Sequence, residues 1–181
     1  MVKLDKEAKT ITVQDNGIGM DSTEIREYLA QIAFSGAEEF LEKYKSDGEA
    51  IIGHFGLGFY SAFMVAKKVE IRSLSYQKDA VGAHWSCDGY TSYELDECDK
   101  AERGTEIILT LDESEKEFLE ATRVRGVLTR YCNFLPVAIT LEGETINDQN
   151  PLWTRTPGDL TDDDYKAFYN KLYPFSDEPL F

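Results

Sequence analysis

The chain has 181 residues and a mass of 20.5 kDa, the size of one substantial domain or of one domain with part of a second. Its formal net charge of -15 argues against a nucleic-acid surface, because phosphate binding needs a basic footprint. The three cysteines form no CxxC pair or Cys/His cluster, which argues against a disulfide framework or zinc site and favours a reducing, cytoplasmic compartment. No apolar run reaches membrane-spanning length, and the first residues do not resemble a signal peptide.

The N-terminal part of the chain is predicted to form a hairpin followed by two short helices. Residues 2–4 and Thr10–Gln14 have the character of short strands around a polar turn. Apolar residues at helical spacing predict a helix over 22–34, and Asp21 with Glu24 forms a capping box at its start. A second helix is expected before residue 48. Two small helices between glycine-containing joints favour a lid over about residues 20–53.

In the central part of the chain, the predicted helices and strands follow one another in no regular order. A helix is predicted over 59–66 and a long helix from Ser114 and Glu117 to about residue 134, where Pro136 ends it. Strands are predicted at 69–74, 81–87, 90–95, 105–111 and 137–141. Mixed helices and strands without regular βαβ alternation favour an α/β (α+β) two-layer sandwich over a doubly wound fold.

The character of the chain changes after Gly143. Residues 147–151 and 156–158 are rich in Asn, Asp, Pro and Gly, as is typical of a linker. A short helix is predicted to begin at residues 161–164, and Trp153 is expected to pack against the neighbouring domain. We therefore predict a domain boundary at about residue 146, with 1–146 as one domain and 147–181 as a linker and the start of the next.

Two glycine-rich motifs indicate a nucleotide pocket. The first is DNGIGM at residues 15–20, and the second is GHFGLGFYS at residues 53–61. Glycines let the backbone approach a ligand, and consecutive N–H groups form a concave anion site that a following helix reinforces. Asp15 would then accept a hydrogen bond from an exocyclic amine of a purine. Gly104 and Thr105 open a later strand and complete the pattern.

Other kinds of turn and loop share parts of these motifs. Taken alone, residues 15–19 are more typical of an ordinary turn than of a nucleotide site, since Asp, Asn and Gly are the commonest turn residues. A calcium-binding loop is excluded because Arg26 stands where a bidentate Glu is needed. The run at 53–58 is not followed by the Lys-Ser/Thr of a Walker A loop, and its glycines do not follow the dinucleotide-binding order.

At these residues the chain resembles the ninety-kilodalton heat-shock chaperone family, in its bacterial form. That family belongs to the Bergerat-fold (GHKL) ATP-binding superfamily, whose glycine boxes are similar to residues 15–19 and 53–58. The chaperone branch is indicated by FYSAF at 59–63, IAxSG at 32–36 and LWTR at 152–155. The resemblance covers essentially the whole chain.

The resemblance implies a Bergerat-type fold that binds ATP or ADP, with Mg²⁺ in the complete parent protein. It implies that Asp15 reads the adenine amine, that Gly19 and Met20 line the base pocket, that Thr105 joins the Asp15 network through water, and that residues 53–59 hold the phosphates. No catalytic or metal-binding residue is assigned. The residues expected to contact nucleotide are Asp15, Gly19, Met20, Gly53, His54, Phe55, Gly56, Leu57, Gly58, Phe59 and Thr105.

Three departures from the family pattern affect the expected activity. The family's first box, with a general-base Glu and a magnesium-binding Asn, has no match before Asp15, so we expect an N-terminally truncated domain. Phe34 stands where the family usually has a lid Lys, and the sequence stops before the family's middle-domain Arg. We therefore expect nucleotide binding with negligible hydrolysis by this chain.

The resemblance implies that the parent protein is an ATP-dependent chaperone acting on unfolded or client proteins as a homodimer, with no nucleic-acid or membrane partner. Two alternatives remain open from the sequence. One is another Bergerat ATPase, such as a topoisomerase or mismatch-repair subunit, which the acidic charge and the linker motif disfavour. The other is a hydrolysis-dead binding or interaction module.

Overall fold

The computed structural model describes residues 1–29, 58–177 and 179. The strands are β1 (Val2–Asp5), β2 (Thr10–Gln14), β3 (Ala66–Leu74), β4 (Gly82–Cys87), β5 (Glu94–Cys98), β6 (Gly104–Leu111), β7 (Thr140–Leu141) and β8 (Glu144–Thr145). The α-helices in this part of the chain are α1 (Ser22–Tyr28), α2 (Ala121–Cys132) and α3 (Asp162–Leu172).

The described strands form one sheet in the order β5-β4-β3-β6-β2-β1-β7-β8. Strand β1 pairs in parallel with β7, whereas the other neighbouring pairs are antiparallel. The sequence predicted the β1–β2 hairpin, and its turn is closed by Asp5, whose Oδ1 accepts hydrogen bonds from the Glu7 and Ala8 N–H groups at 2.9 and 2.8 Å. This sheet places the ends of β2, β3 and β6 beside one another.

Helices cover one face of the sheet. On that face Val69 of β3 pairs with Leu109 of β6, which in turn pairs with Ile11 of β2. Leu109 packs against two buried clusters, one containing Ile25 of α1 and the other containing Val124 of α2. The alternate positions of β3 carry Lys68, Glu70 and Arg72. One covered apolar face and one polar face give the predicted two-layer α/β sandwich.

The capping box predicted for the first helix is present. Asp21 Oδ1 accepts hydrogen bonds from the N–H groups of Thr23 and Glu24, and Glu24 Oε2 accepts one from Asp21 N–H at 2.8 Å. Ile25 is completely buried beneath this helix. The remainder of the predicted helix 22–34, from residue 30, and the second predicted helix lie outside the described residues.

Two helix predictions need correction. The helix expected over 59–66 is a 3-10 helix, Gly58–Met64. The long helix expected from Ser114 to about residue 134 is divided, because Glu120 is extended (φ -88°, ψ 119°) between a 3-10 helix, Glu113–Leu119, and α2. Asp112 caps the first of these segments through Ser114 N–H.

Two strand predictions were also wrong in extent. The strand expected at 90–95 forms at Glu94–Cys98, because residues 88–90 turn, with Gly89 at φ +86° and Asp88 Oδ1 accepting from Tyr90 N–H at 3.2 Å. The strand expected over 137–141 is limited to Thr140–Leu141. The Asn147 side chain bonds to the backbone groups that precede β7. Its Oδ1 accepts a hydrogen bond from Ile139 N–H at 2.7 Å, and its Nδ2 donates one to Val137 O at 2.8 Å.

The C-terminal part packs through aromatic rings. Trp153 contacts Phe134, just beyond α2, with ring centroids 4.8 Å apart, and Phe168 of α3 at 5.8 Å. Helix α3 begins at the predicted position, where Thr161 and Asp164 form a capping box. The domain boundary near residue 146 stays a prediction, and the aromatic contacts join residues on its two sides.

Candidate functional site

The carboxylate of Asp15, just after β2, is oriented by backbone N–H groups. Asp15 Oδ1 accepts hydrogen bonds from Gly17 N–H at 2.8 Å and from Thr105 N–H at 3.1 Å. The Asp15 N–H donates to Thr105 O at 2.8 Å, which completes a two-way link with β6. Asp15 is exposed, and Oδ2 has no hydrogen-bond partner within the described ranges. One oxygen therefore orients the carboxylate while the other can accept a hydrogen bond from a ligand.

The glycines of the first motif are required by close approach of the chain to itself. Gly19 has φ +64°, and a Cβ there would lie 1.8 Å from Leu74 O. Gly104 has φ +113°, and a Cβ there would lie 2.3 Å from Asp15 O. Both values are far below any real contact, so these glycines bring the turn against the ends of β3 and β6. The sequence predicted that the glycines of this motif let the backbone approach a ligand. In the structure they also let the turn at residues 15–19 approach the ends of β3 and β6.

A buried hydroxyl network lies under this turn. Ser73 of β3 is completely buried, and it pairs directly across the sheet with Thr105, which is 8% exposed. The Ser73 Oγ accepts a hydrogen bond from Met20 N–H at 2.8 Å and lies 2.9 Å from Thr105 Oγ1 and 3.3 Å from Gly104 O. The network thus joins three of the residues expected at the base pocket: Asp15, Met20 and Thr105.

Sequence reasoning missed Ser73, although the chain carries a signal for it. Residues Val69, Ile71 and Ser73 alternate along β3, and all three are completely buried on the covered face. A serine at the third position of such an apolar series places a polar group where a hydrogen-bond partner is obligatory. The identity of that partner depends on the strand order, which the sequence does not reveal.

The second glycine motif falls largely outside the described residues. This applies to Gly53, His54, Phe55, Gly56 and Leu57, so their expected phosphate contacts stay predictions. Gly58 is exposed at the start of the 3-10 helix, and no atom of the described residues lies within 4 Å of where its Cβ would be.

Phe59, the last residue of the expected phosphate segment, has a clear packing role. Its ring lies 5.6 Å from that of Trp85, and Phe59 and Met20 pack against the same buried cluster. The following Tyr60 hydroxyl donates a hydrogen bond to Leu29 O at the end of α1. Burial, with a smaller effect of Cys87, raises the pKa of Tyr60 above its usual value of 10.0. The hydroxyl therefore keeps its proton at neutral pH and continues to donate.

Within the described part of the chain, no group of three or more His, Cys, Asp or Glu side chains is arranged to hold a metal ion. The same residues contain no helix long and apolar enough to cross a membrane. His84 of β4 instead contacts Glu70 of the neighbouring strand β3, and His84 Nε2 lies 3.3 Å from Glu70 Oε1.

Comparison with known families identifies the family of this chain. A family model described as histidine kinase-, DNA gyrase B-, and HSP90-like ATPase matches residues 1–123, and a model described as Hsp90 protein matches residues 137–181. The chain belongs to the Hsp90 family. The resemblance inferred from the glycine boxes and the chaperone-branch motifs is confirmed, and so is the Bergerat-type fold.

Three curated proteins that are similar to this chain share one name. The chain is 57% identical over 187 residues to "Chaperone protein HtpG" of Bacteroides thetaiotaomicron, covering 95% of this chain and 28% of the relative. It is 51% identical over 195 residues to the Porphyromonas gingivalis protein of that name, covering 99% and 28%. The Alkalilimnicola ehrlichii protein is 39% identical over 204 residues, covering 99% and 31%. The chain therefore spans less than a third of the length of these Hsp90-family relatives.

Proposed function

We propose that this chain is the adenine-nucleotide-binding portion of an ATP-dependent chaperone of the Hsp90 family. The observation that carries the proposal is the Asp15 carboxylate, oriented by Gly17 and Thr105 through Oδ1 and free to accept through Oδ2. A ligand amine is the complementary donor, and the match to an ATPase family supports the exocyclic amine of adenine as its source.

The same proposal extends to the rest of the pocket. Gly19 and Met20 would flank the base, since Met20 is anchored to Ser73 directly beside Thr105. Residues 53–59 would bind the phosphates through backbone N–H groups. Mg²⁺, when bound with the nucleotide, would neutralise phosphate charge. The described residues supply no metal cluster of their own, so we assign no metal ligand here.

For the whole protein we propose the activity that its relatives' names suggest. Nucleotide binding would drive folding or remodelling of unfolded client proteins by a homodimer in the cytoplasm. The "Chaperone protein HtpG" designation of the relatives supports this proposal. The acidic charge supports a protein partner over a nucleic acid.

The test is the affinity of Asp15→Asn for ATP and ADP, measured by titration calorimetry. Asparagine keeps an oxygen that can accept from Gly17 and Thr105 but replaces the free acceptor with an NH₂ donor, which would face the adenine amine. We expect affinity to fall about ten- to a hundredfold, because a charged hydrogen bond is worth about 1.5–3 kcal/mol and 1.4 kcal/mol is tenfold.

Asp5→Asn is the matched control. Asp5 Oδ1 also accepts two backbone N–H groups in a turn, but at the opposite end of the β1–β2 hairpin. Unchanged affinity in Asp5→Asn with a large loss in Asp15→Asn supports the assignment. Equal ATP affinity in all three proteins would contradict it, and a wild-type chain that binds no adenine nucleotide would favour an interaction module.

A further inference from the structure

The first glycine motif contains a chemically labile asparagine. Asn16 is followed by Gly17, and no other asparagine in the sequence precedes a glycine. Asparagine side chains are among the thermally labile groups of proteins. A glycine next in the chain has no Cβ to hinder the approach of its backbone nitrogen to the side-chain carbonyl carbon. Asn16 is therefore the position in this sequence most open to spontaneous loss of the side-chain amide.

Loss of the amide requires the Gly17 backbone nitrogen to react with the Asn16 side chain. The nitrogen loses its proton to hydroxide from the solvent and attacks Asn16 Cγ. The bond between Cγ and the side-chain nitrogen then breaks, and that nitrogen takes up a proton and leaves as ammonia. Water opens the resulting succinimide ring at either of its carbonyl carbons, which gives aspartate or isoaspartate at position 16.

In the folded chain the attacking nitrogen is already engaged. Gly17 N–H donates a hydrogen bond to Asp15 Oδ1 at 2.8 Å, and the same oxygen is fixed by Thr105 N–H at 3.1 Å. The hydrogen bond stabilises the protonated nitrogen, and the negative carboxylate disfavours a second negative charge beside it. The Asn16 side chain, by contrast, is exposed and has no hydrogen-bond partner among residues 1–29 and 58–177. Protection must therefore act on the nitrogen and not on the amide.

We propose that Asn16 is a site of spontaneous deamidation and that Asp15 protects it by holding the Gly17 N–H. This role of Asp15 goes beyond its proposed contact with adenine and needs no nucleotide. The packing around Asn16 makes the modification consequential. A Cβ on Gly104 would lie 2.9 Å from Asn16 Cα, so β6 closely approaches the turn there. Isoaspartate lengthens the main chain by one carbon at this point and would displace the turn that orients Asp15.

The experiment incubates the purified, nucleotide-free chain at neutral pH and follows Asn16 by peptide mapping with mass spectrometry, with isoaspartate detected by enzymatic methylation. In wild type, Asn16 should deamidate about tenfold or more faster in urea than in the folded chain, because unfolding releases the Gly17 N–H. Asp15→Asn keeps an acceptor oxygen but removes the charge, and it should accelerate the reaction in the folded chain about tenfold. Asp15→Ala removes both and should be about threefold faster again.

Controls separate this local protection from general loosening of the hairpin. Asp5→Ala removes a carboxylate that also accepts two backbone N–H groups, at the opposite end of the β1–β2 hairpin, and it should leave the rate at Asn16 unchanged. Asn16→Gln, which would have to form a larger ring, should show no amide loss at position 16. If Asp15→Ala fails to fold, the comparison of Asp15→Asn with wild type still measures the effect of the charge.

Three results would overturn the inference. Equal rates at Asn16 in folded and urea-unfolded wild type would show that the fold gives no protection, a measurement that needs no variant. An Asn16 that keeps its amide even in urea would show that the position is not labile. Unchanged or slower deamidation in Asp15→Asn would show that the carboxylate does not protect. None of these results depends on ATP binding, so the inference and the proposed function can fail separately.

Discussion

At the scale of single residues, Gly19 and Gly143 allow the cost of a left-handed backbone to be measured separately from the cost of a steric clash. Gly19 and Gly143 both have positive φ, +64° and +88°. A Cβ at Gly19 would lie 1.8 Å from Leu74 O, whereas one at Gly143 would meet no heavy atom of the described residues within 4 Å. Gly143→Ala should therefore cost only the left-handed conformation, about 1–2 kcal/mol, and Gly19→Ala should cost clearly more.

Urea denaturation of the two variants measures this difference. Gly19→Ala should also weaken ATP binding, since the displaced turn carries Met20 away from Ser73. Gly143→Ala should leave ATP affinity unchanged. Equal losses of stability in the two variants would contradict the close approach of Gly19 to β3.

At the scale of elements, the capping box holds the short helix α1. Asp21 satisfies two N–H groups of the first turn, and Glu24 returns a bond to Asp21 N–H. Asp21→Ala should lower the free energy of unfolding by about 1 kcal/mol, within the usual range for lost N-caps. Glu24→Gln, which keeps an acceptor oxygen for Asp21 N–H, should cost less. A larger loss in Glu24→Gln than in Asp21→Ala, by chemical denaturation, would show that Gln77, which donates to Glu24 at 3.2 Å, matters more than the cap.

At the start of a second element, α3, the stabilisation provided by Asp164 should decrease at acid pH. Hydrogen bonds from the Thr161 backbone and hydroxyl, with a further one from Arg155, lower the pKa of Asp164 from 3.8 to about 2. Because the folded pKa is the lower one, this stabilisation is fully present above the unfolded pKa of 3.8 and is lost as pH falls toward about 2. The stability difference between wild type and Asp164→Asn should therefore shrink over that window.

Thermal unfolding across that pH window tests the Asp164 prediction. Asp163→Asn is the control, since Asp163 is a first-turn carboxylate of α3 without a hydrogen-bond or ion-pair partner in the described part of the chain. It shares the helix dipole with Asp164 but lacks its bonds to Thr161 and Arg155. The same pH dependence in both variants would show that the dipole, not the capping box, is responsible.

At the scale of the whole molecule, aromatic packing connects the C-terminal segment to the end of α2. Phe134, Trp153 and Phe168 form a triad with centroids 4.8–5.8 Å apart, although Trp153 is 62% exposed. Trp153→Ala should speed amide exchange in α3 while leaving β6 protected, because the helix loses its contact and the sheet does not. Trp153→Phe should retain most of the protection. Faster exchange in β6 as well would mean that the two parts unfold together.

Local patterns were enough to predict several parts of this protein. The β1–β2 hairpin, the capping box of α1, the start of α3 and the strand that begins at Gly104 depend on residues close together in sequence. The glycine motifs also indicated the family, which the comparisons confirm. Elements whose ends depend on groups farther along the chain were predicted less well. An example is β7, which is shorter than predicted because the Asn147 side chain forms hydrogen bonds with backbone groups of residues 135–139.

The sequence by itself determined most of the strands, the starts of α1 and α3 and the family, because propensity, capping and glycine placement act over a few residues. Only the tertiary structure decided that β3 lies between β4 and β6 and that Ser73 faces Thr105. The strand order is chosen by burial summed over the whole sheet, and no local pattern encodes it. For that reason Asp15 could be recognised from its motif, whereas Ser73, which has no motif, became visible only when the strands were paired.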